Sequence, residues 1–224
     1  MNAIQFSKTS AIGGFAALAV LTISVLAGCA TPERSRDLGN PAVSGKTLAM
    51  QVCSNCHGVT GNPISPNFPR LAGQQETYFI NQMNGFKSHH RSDPAGFEYM
   101  WGLSRHLSEQ QINDLAAYYA AQPVGSQAGG GDGKLRDVGE EIFRRGIAAK
   151  EVPACATCHG EKGQGNGPFP RLAGQHADYL MKQLMVFQRT DQRPEGAIMK
   201  TVAHSLSGDD IQAVSEYLEH APEN

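Results

Sequence analysis

Apolar positions recur at helical spacing in three segments of the first half of the chain and in three matching segments of the second half. Within these segments the apolar and aromatic residues are three or four positions apart, which places them on one face of a helix. The matching pairs are residues 45–53 and 134–147, residues 75–87 and 176–189, and the stretches that begin at Ser108 and Ser207. No segment shows the strict alternation typical of a strand. The pattern predicts an all-α protein with long loops.

The start of the last predicted helix in each half carries a capping signal. Ser108 and Ser207 suit the N-cap position, because a serine hydroxyl accepts a hydrogen bond from a free backbone N–H of the first turn. Gln111 and Asp210 follow three positions later, as in a capping box, although aspartate is shorter than the usual glutamate. Both helices are therefore predicted to begin directly after these serines.

The two halves also match in sequence. The block Cys53–Gly58 matches Cys155–Gly160 at an offset of 102, and Phe68–Gln74 is identical to Phe169–Gln175 at an offset of 101. Because the landmarks keep their order, the chain contains an internal repeat. Tyr78, Gln82 and Phe86 recur in the second half as Tyr179, Gln183 and Phe187.

A Gly-rich stretch separates the two repeats. Residues 122–133 hold few packing side chains and are typical of a flexible linker. We therefore predict two domains, residues 45–121 and residues 134–221. Each has about 80 residues and little regular structure, so each is expected to close its core around a large apolar group.

The first 28 residues have the pattern of a secretory signal. Residues 1–28 carry one charge, on Lys8, and then an uncharged apolar run. The run ends in Leu26–Cys29, which resembles the lipobox of bacterial lipoproteins and implies cleavage before Cys29 and lipidation of its sulfur. Residues 29–44 then form a tether. An uncleaved helix or a simple secretion signal is the alternative, and the protein is exported in each case.

Charge excludes one class of partner. The 224-residue chain has 19 basic and 21 acidic side chains and a formal net charge of -2. Nucleic-acid binders need an excess of Lys and Arg to replace the counterions of phosphate. No nucleic-acid partner is therefore expected.

Four of the five cysteines lie in two Cys-x-x-Cys-His motifs, Cys53–His57 and Cys155–His159. This spacing lets both sulfurs add to the vinyl groups of one haem while the histidine lies below the iron. Two covalently bound haem c groups would supply the apolar group that each domain needs.

Zinc half-sites, redox dithiols and disulfides are the alternatives for these motifs. Zinc would need two further ligands per site, and no other cysteine lies in either predicted domain. A thioredoxin-like dithiol would need a βαβ context, which the hydrophobic pattern does not show.

Two methionines are candidates for the sixth iron ligand. Met100 and Met199 each precede a Leu-Ser pair by six intervening residues and are predicted to lie in the loop before the last helix. A thioether ligand favours ferrous iron, and a protein ligand at this position favours electron transfer. The alternative is that both methionines fill the core. The other methionines after the signal are assigned to the core: Met50, Met83, Met181 and Met185.

The remaining histidines and two arginines are weighed as further site residues. Arg70 and Arg171 lie in the identical blocks, and each is either a partner of a haem propionate, which a guanidinium fits in bidentate fashion, or solvated. The histidines outside the motifs do not repeat and are interpreted as surface imidazoles: His89, His90, His106, His176, His204 and His220.

Taken together, these motifs resemble the dihaem cytochrome c4 family across nearly the whole chain after the signal. The resemblance implies two tandem class I cytochrome c domains, each of about three helices around a covalently bound haem c. It implies a pseudo-twofold axis, with the propionate edges of the haems facing each other. It further implies covalent attachment at Cys53, Cys56, Cys155 and Cys158 and axial iron ligation by His57, Met100, His159 and Met199.

The resemblance also implies an electron carrier on the periplasmic side of a bacterial membrane that passes electrons from a quinol-oxidising complex towards a terminal oxidase; a dehydrogenase is a further candidate donor. The lipobox departs from the family, many of whose members are soluble, and predicts a lipid anchor at Cys29. The matched methionines favour a carrier rather than an enzyme, with no catalytic residues and no small-molecule substrate. The alternatives are a cytochrome subunit of a larger dehydrogenase and a dihaem peroxidase. A methionine in both halves argues against the peroxidase.

Overall fold

The computed structural model describes residues 34–94, 96–125 and 131–221, and this part of the chain is helical. Its only β pairing consists of isolated bridges, which confirms the all-α prediction. The α-helices are α1 (Gly45–Leu48), α2 (Ser54–His57), α3 (Glu76–Lys87), α4 (Trp101–Ser104), α5 (Glu109–Ala120), α6 (Gly133–Arg145), α7 (Ala156–His159), α8 (Ala177–Arg189), α9 (Ala197–Ala203) and α10 (Gly208–Glu219). Further short segments are π-helical at Ala49–Cys53 and Gly96–Met100 and 3-10 at Ala148–Lys150 and Pro194–Gly196.

The predicted N-cap of the last helix is observed in both halves. The Ser108 hydroxyl accepts from the backbone N–H of Gln111 (3.2 Å), and Gln111 Oε1 accepts from the N–H of Ser108 (2.9 Å). The shorter Asp210 closes the same box, because its Oδ2 lies 2.8 Å from the backbone nitrogen of Ser207. The length of the carboxylate side chain is therefore no obstacle to the cap.

The first and last helices of each half cross at a glycine. A Cβ on Gly139 of α6 would lie 2.0 Å from the backbone oxygen of Ala213 in α10. A Cβ on Gly45 of α1 would lie 2.4 Å from the Cβ of Asp114 in α5. Only the absence of a side chain lets the paired backbones come this close.

The buried apolar residues form separate clusters in the two halves. One cluster draws on residues 43–119 and is built on α1, α3 and α5. Two further clusters draw on residues 142–221, and the half-buried Ile147 and Leu184 pack against both of them. Each half therefore has its own core, and the contact between the halves needs other groups.

A buried polar cluster joins α3 and the following loop of the first half to the same elements of the second half. Arg91 donates through Nη1 to Gln82 Oε1 (2.6 Å) and through Nε to Asp93 Oδ1 (2.7 Å). Arg193 donates through Nη1 to Gln183 Oε1 (2.6 Å) and through Nη2 to Gln82 Oε1 (2.8 Å) across the interface. We call these five residues the arginine cluster.

The charges of the arginine cluster are balanced. Each guanidinium has a carboxylate two residues later, Asp93 for Arg91 and Glu195 for Arg193, with the second pair at 3.0 Å. Burial alone would raise the pKa of Asp93, but the hydrogen bond and the positive charge of Arg91 outweigh burial and lower it. Asp93 is therefore held as a carboxylate that neutralises its buried partner.

Several sequence-based assignments need correction or lie outside the described residues. His176 is not a surface imidazole: it is 2% exposed, between the carbonyl oxygen of Pro63 and the carboxylate of Glu219. Met50 is 44% exposed and is not a core residue. The end of the predicted tether is part of the first domain, because Val43 is fully buried in its core and Gln111 donates to the Val43 carbonyl oxygen. The predicted signal, Cys29 and residues 126–130 of the linker lie outside the described residues. Within the described part of the chain, no helix has the length and apolar character to cross a membrane.

We predict that Gly139→Ala destabilises the protein by roughly 1–3 kcal/mol, because the new methyl group forces α6 away from α10. Denaturant unfolding of the purified haem-loaded protein measures this cost. Gly133→Ala is the matched control at the start of the same helix, where an added Cβ meets no atom within 4 Å. Equal stability of the two variants would contradict the close crossing.

We predict that Asp93→Asn lowers the free energy of unfolding by about 3 kcal/mol, because it leaves the buried Arg91 without its counterion. Asp93 has a lowered pKa in the folded state, so its contribution is present above the pKa of the unfolded chain and is lost as the pH falls below about 4. Unfolding curves between pH 3 and 7 of both proteins check this expectation. The stability difference between wild type and variant should shrink at the acid end.

The control for that comparison is Asp191→Asn, which removes an exposed ion pair with Lys200. Exposed pairs contribute about 0–1 kcal/mol, so this variant should unfold nearly as the wild type does. A loss as large as that of Asp93→Asn would show that burial is not the cause.

Candidate haem-binding sites

The first motif places a buried imidazole at the end of a short helix. Cys53 ends the first π segment, and Cys56 and His57 lie in α2. His57 is 8% exposed, and its Nδ1 lies 2.9 Å from the carbonyl oxygen of Pro69. Since a carbonyl only accepts, Nδ1 carries the proton and the lone pair of the neutral ring is on Nε2.

The second motif repeats this geometry. His159 closes α7, is 6% exposed, and has its Nδ1 2.9 Å from the carbonyl oxygen of Pro170. A phenylalanine meets each imidazole edge-on, Phe68 at 6.0 Å and Phe169 at 6.2 Å between ring centroids. Two buried rings are thus oriented in the same way.

Burial also fixes the protonation of both imidazoles. It lowers the pKa of His57 and of His159, because a charged ring is disfavoured away from water, and the carbonyl acceptors only partly oppose this. Both rings are therefore neutral at neutral pH. A neutral imidazole with a free Nε2 lone pair is the form that ligates a metal ion.

The motif cysteines differ in exposure within each pair. Cys53 and Cys155 are half-buried and border the cores, whereas Cys56 and Cys158 are exposed, and all four are free thiols. Burial raises the pKa of Cys53 and of Cys155 to about 11. No disulfide joins these four cysteines.

The two methionines lie in short helices rather than in a loop. Met100 ends the π segment Gly96–Met100, and Met199 lies in α9. The sequence pattern missed these elements because they are too short to show a helical period. Met100 packs against the same core cluster as Cys53. In the second half Met199 and Cys155 border different clusters, and Ile147 contacts both of these clusters.

The donor sets fit haem c. Each half provides two free thiols, a buried neutral imidazole and a half-buried thioether around its own core. A zinc site is not supported, because the cluster of metal-ligating side chains found in the described residues is Glu216, Glu219 and His220, which includes no motif residue. The residues present therefore suit a haem attached by two sulfurs.

Both arginines of the identical blocks lie at the contact between the halves. Arg70 is 7% exposed, and its Nη1 donates to the carbonyl oxygens of Gly125 (2.7 Å) and Gly174 (2.8 Å). Arg171 is half-buried, and its Nε donates to the carbonyl oxygen of Ala173 (3.2 Å). Neither side chain is simply solvated.

Sequence reasoning missed several residues at this contact. Gln74 and Gln175 end the identical blocks, and both are buried and bond to the opposite half. Arg91 and Arg193 recur at an offset of 102, each with an acidic residue two positions later. This second repeat is the signal that would have located the arginine cluster.

The comparisons with known proteins agree with these sites. The cytochrome c family model matches residues 42–121 and 139–222. Cytochrome c4 of Azotobacter vinelandii is 41% identical over 75% of this chain and 83% of its own length. The thiosulfate dehydrogenase electron acceptor of Stutzerimonas stutzeri is 34% identical over 90% of this chain and 91% of its own length.

A solved structure shows the same fold. The crystal structure of reduced cytochrome c4 from Pseudomonas stutzeri superposes with a TM-score of 0.69, at 38% identity, over 82% of this chain and all of that chain. The match of two tandem family domains, the relatives and this structure agree with one another. The chain belongs to the cytochrome c family, and within it to the dihaem cytochrome c4 proteins, and it binds two covalently attached haem c groups.

Proposed function

We propose that each domain holds its haem through the residues of its own motif and its own methionine. Cys53 and Cys56 attach one haem, and Cys155 and Cys158 attach the other. The axial iron ligands are His57 with Met100 and His159 with Met199. The haem domains are residues 45–121 and 134–221. Support comes from the repeated geometry, in which each buried imidazole donates from Nδ1 to a proline carbonyl 2.9 Å away.

A six-coordinate haem supplies a one-electron redox change without binding a substrate at the iron. The chain's own residues prepare this chemistry. Pro69 and Pro170 fix the orientation of the two imidazoles, and burial keeps both rings neutral. The thioethers favour the ferrous state and raise the potential.

The chain is a dihaem electron carrier with redox proteins as partners. We propose that it works on the periplasmic side of a bacterial membrane, held by a lipid on Cys29, and passes electrons from a quinol-oxidising complex or a dehydrogenase towards a terminal oxidase. We propose no catalytic residue. The matched methionines of the two halves support a carrier over a peroxidase, because a thioether on each iron would leave neither with an open position.

A dehydrogenase as the electron donor has support of its own. One relative is named a thiosulfate dehydrogenase electron acceptor, and the alignment with it covers most of both chains. Mixing the reduced dehydrogenase of such a system with the oxidised cytochrome, and following haem reduction by stopped flow, tests this donor. Reduction no faster than that of an unrelated monohaem cytochrome would contradict it.

We predict that Met100→Ala and Met199→Ala each remove about half of the weak methionine-to-ferric-iron absorption band of the oxidised protein. Each variant loses the thioether from one iron, so one of the two reduction potentials should fall while the other stays. Redox titration followed by absorption spectra measures both effects and assigns the potentials.

Met50→Ala is the control for the methionine variants, because this side chain is exposed and has no counterpart in the repeat. Its spectrum and both potentials should equal those of the wild type. If the wild-type band is absent, or if it survives both Met100→Ala and Met199→Ala, the axial assignment is wrong.

We predict that Cys29→Ser releases the protein from bacterial membranes into the soluble periplasmic fraction, because it removes the sulfur that carries the lipid. Fractionation with a high-salt wash and intact mass measurement check this. Replacing the neighbouring Thr31 by Ala should leave the protein membrane-bound. Equal release of the wild type would exclude the anchor.

A further inference from the structure

The Pro69–Arg70 peptide unit is bonded at both ends, and its two partners belong to different domains. Its carbonyl oxygen accepts from Nδ1 of His57 in the first domain at 2.9 Å. Its N–H, which belongs to Arg70, donates to Oε1 of Gln175 in the second domain at 2.8 Å. One rigid amide therefore links the imidazole of one domain to the glutamine of the other.

The Pro170–Arg171 peptide unit makes the same two hydrogen bonds with the domains exchanged. Its carbonyl oxygen accepts from Nδ1 of His159 at 2.9 Å, and its N–H donates to Oε1 of Gln74 in the first domain at 2.7 Å. The glutamine side chains also donate back, Gln74 to the carbonyl oxygen of Arg171 (3.1 Å) and Gln175 to that of Arg70 (3.0 Å). The arrangement is reciprocal, with two bonds in each direction.

Both glutamines are held firmly enough to act as fixed partners. Gln74 is 7% exposed and Gln175 is 6% exposed. Each Oε1 also accepts from the backbone N–H of the next residue, Gln75 at 2.9 Å and His176 at 3.1 Å. Since the carboxamides are bonded on both atoms and shielded from water, their hydrogen bonds are stronger than exposed ones.

Hydrogen bonds through one amide reinforce each other. When the N–H donates, electron density moves to the carbonyl oxygen of the same peptide, which then accepts more strongly. A stronger acceptor on Nδ1–H makes the imidazole a more basic ligand, and a more basic ligand favours ferric over ferrous iron. The glutamine of one domain therefore increases the basicity of the imidazole in the other domain.

We propose that Gln175 is a positioning residue for His57 and that Gln74 is a positioning residue for His159, so that each domain tunes the reduction potential of the haem in the other. The inference rests on the axial roles proposed above for the two histidines. It also gives a reason for the identical blocks Phe68–Gln74 and Phe169–Gln175. Each block supplies a Pro-Arg peptide and a glutamine that forms hydrogen bonds with the Pro-Arg peptide of the other block.

The test is a crossed pair of variants in the full-length, haem-loaded protein. In Gln175→Ala the peptide loses its acceptor, so the potential of the first-domain haem should rise while that of the second-domain haem stays. In Gln74→Ala the second-domain haem should respond instead. We expect the reduction equilibrium of the affected haem to shift a few-fold towards ferrous iron, where a tenfold shift corresponds to about 59 mV.

Redox titration gives the two potentials, and the hyperfine-shifted NMR signals of the axial ligands assign them to the domains. These signals also report the imidazole directly, because the His57 and His159 ring resonances change when the bond at Nδ1 weakens. If Gln175→Ala fails to fold, Gln175→Leu keeps most of the side-chain volume without the carboxamide and replaces it.

Gln75→Ala is the matched control, because the Gln75 side chain donates across the same interface to the carbonyl oxygen of Gln164 (2.9 Å), and the hydrogen bond from its backbone N–H to Gln74 is kept in the variant. It should leave both potentials unchanged. If Gln175→Ala moves the second-domain haem, moves both haems alike, or has no more effect than Gln75→Ala, the proposal is wrong. Absence of His/Met signals in the wild type would instead disprove the axial roles, so the two failures are distinguishable.

Discussion

The two domains meet through buried polar groups, and buried polar groups must find partners. A buried guanidinium or amide without a hydrogen-bond partner would destabilise the fold by more than most apolar contacts stabilise it. Every hydrogen bond across the contact therefore constrains where the second domain lies. The arginine cluster and the two glutamines satisfy this requirement by bonding directionally. Because hydrogen bonds depend on angle as well as distance, this contact fixes one relative placement of the domains where an apolar contact would permit sliding.

That fixed placement suits a protein that moves electrons between two centres. With the proposed methionine ligands neither haem would need room for a substrate, so each domain can surround its group closely with its own core and a neutral imidazole. What the pair of centres needs is a constant separation and a defined difference in potential. Gln74 and Gln175 help to hold the separation constant, and one peptide unit joins each of them to an imidazole that is proposed to tune the potential.

Local signals in the sequence predicted the local structure. The capping boxes at Ser108 and Ser207, the helical faces of α3 and α8, and the repeated motifs all depend on residues fewer than about ten positions apart. The short π and α segments around the methionines were not predicted, because four to seven residues are too few to show a helical period. The burial of His176 and the bonds of Arg70 were not predicted either, since their partners lie 43 to 113 residues away in the chain and only the fold brings them together.

The reciprocal glutamine contacts have a consequence for the origin of the chain. A surface that presents both a Pro-Arg peptide and the glutamine that binds it is self-complementary, which is the defining property of an isologous dimer interface. A single domain could therefore make the same contacts with a second copy of itself. Joining the copies in tandem replaces a concentration-dependent association by an intramolecular one and frees each copy to diverge. The exchange of Gln75 for His176 at the position next to the glutamine is a divergence of this kind.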